Sequence, residues 1–274
     1  MKLDIVIPIF NEQENLPELY RRLREVCEQL HDMTWRIIYV NDGSHDDSMN
    51  IMLGQRRRDS RVEIIDLSRN FGQQAAIAAG LAHTEGDVVI VMDGDLQDPP
   101  ELIPELLSRW REGFQIVRAH RLTRKERGIR RLGFDLFHRI FGCISDFPVP
   151  PHSGVFALLD RRTTSELNRL TEKNRFLPGL RSWVGFKQGE VHYDRQERAG
   201  GLPKLTLKRL IRYALDAIFS FSYKPLRIMT GTGILISGAG FILAGIFVIK
   251  RLAGIETAQT GFTTLVTVVL FLGG

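Results

Sequence analysis

Asp93-Gly94-Asp95-Leu96-Gln97-Asp98 gathers carboxylates and an amide oxygen just past the strongest candidate for a buried strand, Asp87–Met92. Oxygen donors of this kind suit a hard divalent cation, Mg²⁺ or Mn²⁺. If the segment is extended, alternation sets Asp93, Asp95 and Gln97 on one side, where they can share one ion. An ion bridging a diphosphate would neutralise the charge that builds on a departing nucleoside diphosphate. Pro99-Pro100 stiffens the exit from the loop. A surface turn leading into a helix would use the same string without chemistry, so its placement in the fold decides.

Two further clusters follow apolar runs. Trp35–Val40 closes on Asn41-Asp42-Gly43-Ser44, where the Asp42 carboxylate can accept hydrogen bonds from a base or a ribose. An Asx turn into the next helix is the plainer use of that string. Leu3–Pro8 runs into Phe10, Asn11 and Glu12, and Glu12 also fits a structural role as an early-helix acid. Arg69-Asn70-Phe71-Gly72 precedes an Ala-rich helix whose N-terminus can face phosphate. Arg118, Arg121, Arg124, Arg195, Arg198 and Lys204 offer cations to phosphate oxygens, although most arginines in such runs are merely solvated.

Bringing these clusters together requires strands that end side by side. Leu3–Pro8, Trp35–Val40, Val62–Leu67 and Asp87–Met92 read as strands. Between them, helical spacing runs from Asn11 to Leu30 (Leu16, Leu19, Leu23, Val26, Leu30), and Gln74–Ala82 reads as a second helix. Strands alternating with helices predict an α/β fold, Rossmann-like with a mostly parallel sheet, over residues 1–203. Ligands of such sheets gather at the carboxyl ends of the strands, where all three polar clusters fall. The first strand leads to Pro-Ile-Phe-Asn-Glu and not to a glycine fingerprint, which fits a dinucleotide oxidoreductase poorly, and no Walker loop is present.

Composition adds a membrane. The 274 residues carry a formal charge of +5 and a pI near 9.4, which fits nucleic acid, anionic lipid or a phosphorylated substrate. With no nucleic-acid motif in the chain, lipid and phosphate lead. Lys204, Lys208 and Arg212 share one face of a candidate helix otherwise filled with Leu, Ile and Ala, so residues 204–226 read as an amphipathic interfacial segment. Ile228–Ile249 has no charged residue, and at ~1.5 Å per residue it is long enough for a ~30 Å hydrocarbon core. Its five glycines suit close packing between membrane helices. Residues 227–274 are therefore expected to be transmembrane, with the second uncharged run, Phe262–Gly274, cut short before it can span. The Lys and Arg preceding Ile228 put the N-terminal domain in the cytoplasm. Two distant cysteines, Cys27 and Cys143, fit a reducing compartment. The acid at Asp4 marks the N-terminus as a strand rather than a signal peptide.

At these residues the chain resembles the family 2 glycosyltransferases of the polyprenyl-phosphate sugar synthase group, which includes dolichol-phosphate mannose synthases and bactoprenol-phosphate glucosyltransferases. The matching strings are IVIPIFNEQENL (5–16), VNDGSHDDS (40–48), LSRNFGQQAAIAAGL (67–81), GDVVIVMDGDLQDPPELI (86–103), NRFLPGLRSWVGFKQ (174–188) and FSFSYKPLR (219–227). The resemblance implies a GT-A catalytic domain followed by membrane helices. It implies inverting transfer of a hexose from a nucleotide sugar, UDP-glucose first and GDP-mannose second, to polyprenyl phosphate at the bacterial inner membrane. It sets Pro8, Phe10, Glu12, Val40 and Asp42 around the nucleoside, with Asp93 and Gly94 beside it. Asp95 and Gln97 go to the metal with Asp93 nearby, which makes Asp93 and Asp95 the catalytic pair, and Arg121, Arg198 and Lys204 go to phosphates. Homo-oligomers through the membrane helices are a further implication.

Two departures stand out. Relatives nearest the bacterial group often read G-D-F-R-L-M-D, whereas Val155 and Ala157 replace that Asp and Arg here. The usual G-x-S-K reads Gly201-Leu202-Pro203-Lys204. A lipid phosphate is already ionised near neutral pH and needs no base, so the first loss leaves the chemistry possible. It also motivates one alternative, a non-catalytic membrane partner; a second alternative is a transferase of the same fold acting on a glycan or a soluble acceptor.

Overall fold

A computed structural model of the chain describes residues 1–121, 153–170, 176–193 and 224–254, with isolated positions at 261, 265, 268 and 269. The chain divides into two compact units, one built on a β-sheet and one on a long apolar helix.

The sheet begins with β1 (Lys2–Ile9), β2 (Thr34–Asn41), β3 (Val62–Asp66) and β4 (Val88–Val91), all mutually parallel. β5 (Ile116–Arg121) and β7 (Gln188–Tyr193) pair in parallel, and β6 (Ser153–Asp160) runs antiparallel to both β4 and β5. The described strands lie in the order β3-β2-β1-β4-β6-β5-β7. The chain moves outward from β1 to β3 and then returns to the other side of β1 at β4. That reversal opens a crevice between the ends of β1 and β4, the place where such sheets bind ligands.

β-branched residues account for the centre of the sheet. β4 reads Val-Val-Ile-Val and is buried throughout, as a strand covered on both faces must be. Register levels the strand ends, with Ile9 opposite Asn41 and Asn41 opposite Asp66. α1 (Leu16–Glu28) buries Leu16, Leu19, Leu23, Val26 and Cys27 along one stripe. Helical spacing had predicted this helix from Asn11. It starts five residues later because Asn11 sits at φ 54 in a loop, and Pro17 then opens the first turn. Next come α2 (Ser48–Arg58), α3 (Gln73–Ala82), α4 (Ile103–Arg111), α5 (Arg161–Arg169) and α6 (Leu177–Trp183). α5 is capped by Asp160, whose carboxylate accepts from the Thr163 N–H at 2.6 Å.

The second unit is carried by α7 (Lys224–Leu252). Leu226–Phe247 within it is long and apolar enough to cross a membrane, with mean hydropathy 1.7 and large exposed side chains such as Ile234, Leu235 and Phe241. Of the amphipathic segment expected over 204–226, residues 204–223 lie outside the described residues and 224–226 open α7, and most of the second apolar run also lies outside them.

Candidate active site

The carboxyl ends of β1, β2 and β4 bring the polar clusters to one edge of the sheet, as alternation of strands and helices predicted. Pro8 lies within β1, buried and opposite Val40 of β2. Phe10, Asn11 and Glu12 form the half-buried turn that follows. Asp42 follows β2, and its N–H donates to the Ile9 carbonyl at 2.8 Å, so the two strand ends are stitched together. Met92 donates likewise to Val6 at 3.2 Å, which brings the start of the acidic loop beside β1.

The acidic loop is not extended. It bends over Gly94–Leu96, and Leu96 takes φ 61, a left-handed conformation that is rare for a side chain of its size. Burial nonetheless alternates through the bend. Asp93, Asp95 and Gln97 are half-buried, whereas Gly94, Leu96 and Asp98 turn inward. Leu96 joins the core, and a Cβ on Gly94 would sit 2.6 Å from Ile9 Cδ1. Asp95 accepts from the Gln97 N–H at 3.2 Å, which tightens the turn. Among the described residues no three His, Cys, Asp or Glu side chains form a metal-holding group. The donor set on offer is therefore two carboxylates and the Gln97 amide, the sparse set on which Mg²⁺-type ions rely when substrate phosphates and water complete the shell.

Asp42 is occupied differently from the sequence reading. It is 2% exposed, and its two oxygens accept from the Phe71 N–H at 2.7 Å and the Gly72 N–H at 2.9 Å. The amides ahead of α3, expected to face phosphate, are thus held by a protein carboxylate. Gly43 makes this approach possible: it sits at φ 66, and a Cβ there would lie 2.6 Å from the Arg69 carbonyl carbon. Val40 also differs in detail. It is fully buried, with Cγ2 only 3.0 Å from where a Cβ on Gly80 of α3 would stand, so its side chain packs beneath α3. Glu12 accepts from Asn15 Nδ2 at 2.6 Å just ahead of α1, in keeping with the helix-start role that was the alternative for it.

Two of the candidate cations, Arg118 and Arg121, fall among the described residues. Arg118 donates to Glu190 at 2.5 Å, which ties β5 to β7. Burial draws its guanidinium below the ordinary arginine range while Glu190 opposes the shift. Arg121 is the last residue of β5, and Arg124, Arg195, Arg198 and Lys204 lie outside the described residues.

The family model for glycosyl transferase family 2 matches residues 4–166, which carry every strand end just described. The chain belongs to glycosyl transferase family 2. It is 42% identical over 275 residues to the uncharacterized glycosyltransferase YkcC of Bacillus subtilis, covering 100% of this chain and 84% of that one. It is 36% identical over 275 residues to the bactoprenol glucosyl transferase of Shigella phage SfX, covering 100% of this chain and 90% of the relative. Among solved structures it resembles glucosyl-3-phosphoglycerate synthase from Mycobacterium tuberculosis, crystallised with Mn²⁺, UDP and glucosyl-3-phosphoglycerate. That likeness has TM-score 0.54 and 19% identity over 80% of this chain and 79% of that one, and it identifies the fold as GT-A.

Sequence reasoning missed several contacts around the acidic loop and its neighbours. Gln73, the first residue of α3, donates from Nε2 to Asp93 Oδ1. Tyr193, at the end of β7, donates to Asp98 Oδ1 at 2.8 Å, and Asp98 Oδ2 accepts from the Asp93 N–H at 3.3 Å. Asn11 accepts from the His45 N–H at 2.8 Å and Ser44 from the Asn11 N–H at 3.1 Å, which laces the first two loops together. Gln73 stood within the quoted string LSRNFGQQAAIAAGL, but nothing in the string says that the glutamine turns toward the acidic loop.

Proposed function

We propose that this family 2 enzyme transfers a hexose, with inversion, from a nucleotide sugar to the phosphate of a polyprenyl lipid at a membrane surface. The observation that carries the reading is the Asp93–Asp98 loop, with Asp93, Asp95 and Gln97 on its open side at the switch between β1 and β4. Similarity along the whole chain to bactoprenol glucosyl transferases supports the acceptor, and UDP-glucose is the donor assigned first, ahead of GDP-mannose. The apolar helix Leu226–Phe247 supports a membrane location, with the catalytic domain on the cytoplasmic face.

Bond changes balance without a base. A lipid-phosphate oxygen, already anionic, forms the new bond to the anomeric carbon, and the bond from that carbon to the nucleoside diphosphate breaks with its electron pair leaving on the diphosphate. Asp95 and Gln97, with Asp93 beside them, would hold Mg²⁺ or Mn²⁺. The ion when bound supplies positive charge against the diphosphate. Pro8, Phe10, Glu12, the Val40 backbone and Asp42 line the nucleoside end, with Gly94 packed close beneath. Arg121, Arg198 and Lys204 are assigned to the phosphates of donor and acceptor. With both reactants charged and no proton to move, orientation and charge compensation carry the rate. The loss of an acid at Val155 is compatible with this scheme.

The test is Asp95→Asn, assayed for sugar transfer across a Mg²⁺ and Mn²⁺ titration. Turnover is expected to fall by at least about 100-fold, with the thermal midpoint unchanged. Full activity in the variant would remove the metal assignment.

A further inference from the structure

α3 begins between two acids of the site. The amides of Phe71 and Gly72 are held by Asp42, and the next residue, Gln73, reaches the opposite way to Asp93. Gln74 then accepts from the Leu177 N–H at 2.9 Å, which anchors the same turn to α6. The backbone of Asp93 is fixed separately, by Asp98 and through it by Tyr193. The main chain of Asp93 is thus held by the loop, while one of its carboxylate oxygens accepts from an exposed side chain of another element.

From this geometry we infer that Gln73 is the positioning residue for Asp93, and that the first turn of α3 couples the Asp42 end of the site to the acidic loop. The inference rests on the nucleotide-sugar reading above and extends it. A neutral amide suits the task. It orients a carboxylate oxygen through one N–H without cancelling the charge that a cation or ribose hydroxyl would use, whereas Lys or Arg would form an ion pair there. A nucleoside diphosphate drawing on Asp42 would pull on the Phe71 and Gly72 amides. Through the rigid first turn, that pull would be felt at Asp93.

Two variants of the full chain test the inference, Gln73→Leu, which lacks the donor, and Gln73→Glu, which opposes one acceptor with another. UDP and GDP are titrated with Mn²⁺ by calorimetry, alongside transfer assays and thermal melts. Wild type should bind most tightly, Gln73→Leu about 10-fold more weakly and Gln73→Glu about 100-fold more weakly. Melting midpoints and affinity for the lipid acceptor should stay unchanged. Nucleotide and Mn²⁺ binding equal to wild type in both variants would overturn the role of Gln73. Weakened binding matched by a lower melting midpoint in both would also overturn it, in favour of a structural one. If wild type binds a nucleotide with Mn²⁺ but moves no sugar to lipid phosphate, the acceptor assignment fails and the ranking of the Gln73 variants still decides this inference. Absence of nucleotide binding by wild type would overturn both.

Discussion

Tyr193 donates its hydroxyl to Asp98 Oδ1 at 2.8 Å, a buried bond between residues 95 positions apart that fastens the acidic loop to the last strand of the sheet. Asp98 therefore closes the D-G-D-L-Q-D string structurally, while Asp93, Asp95 and Gln97 are only half-buried. Replacing Tyr193 with Phe removes one donor from a carboxylate that is 4% exposed. The expected loss is about 1–3 kcal/mol of stability, with turnover down about 10-fold through the displaced loop. Urea denaturation and a transfer assay check both, and an unchanged midpoint would show that the bond contributes nothing.

Asp42 should behave as a hinge pin as well as a ligand. In Asp42→Asn one backbone N–H faces an NH₂ group, donor against donor, at a cost of about 1–3 kcal/mol. Hydrogen exchange at Phe71 and Gly72 should quicken, and donor affinity should fall with it. Exchange at the wild-type rate would separate Asp42 from α3.

Gly43→Ala should be among the most damaging small substitutions in the domain. The position is left-handed, which disfavours any Cβ by about 1–2 kcal/mol, and the added carbon would meet Arg69 backbone at 2.6 Å. A fall in the denaturant midpoint is expected, together with weaker nucleotide binding, because the V-N-D-G and R-N-F-G loops must separate. A midpoint equal to wild type would contradict the close approach.

Acid should destabilise the fold through identifiable carboxylates. Arg61, first, and then the Arg61 N–H and the Tyr20 hydroxyl hold the Asp59 carboxyl down at about 2. Burial would raise Asp4, yet Arg36 and the Glu85 and Gly86 amides outweigh it and hold that carboxyl below its ordinary range. Both folded values lie below the unfolded one, so their stabilisation is complete above about pH 4 and is lost as pH falls through the folded values. Urea midpoints measured from about pH 5 downward should fall less steeply for Asp59→Asn than for wild type. Parallel curves would remove Asp59 from the acid transition.

Much of this architecture was legible in the sequence because it depends on local pattern. The run Val-Val-Ile-Val, the α1 stripe and the placement of Asp42 and Asp93 just past strands follow from periodicity. What stayed hidden depends on contacts across the chain. Helical spacing cannot show that Asn11 turns left-handed and delays α1. Alternation matches the burial pattern of the acidic loop but could not show the bend at Leu96, whose side chain joins the core. The partners Gln73, Tyr193 and Asp98 are joined by tertiary structure alone. Nothing nearby in sequence reveals that Asp42 accepts from the Phe71 and Gly72 amides just ahead of α3.

Sugar transfer to a lipid phosphate is tested most directly by incubating the detergent-solubilised protein with a short polyprenyl phosphate, Mg²⁺ or Mn²⁺, and one radiolabelled nucleotide sugar at a time. Label is then counted in the organic extract. Metal-dependent label from a single donor, UDP-glucose first, lost in Asp95→Asn, is the predicted result. Donor binding with no extractable label from any nucleotide sugar would contradict it and point to a different acceptor or a non-catalytic role.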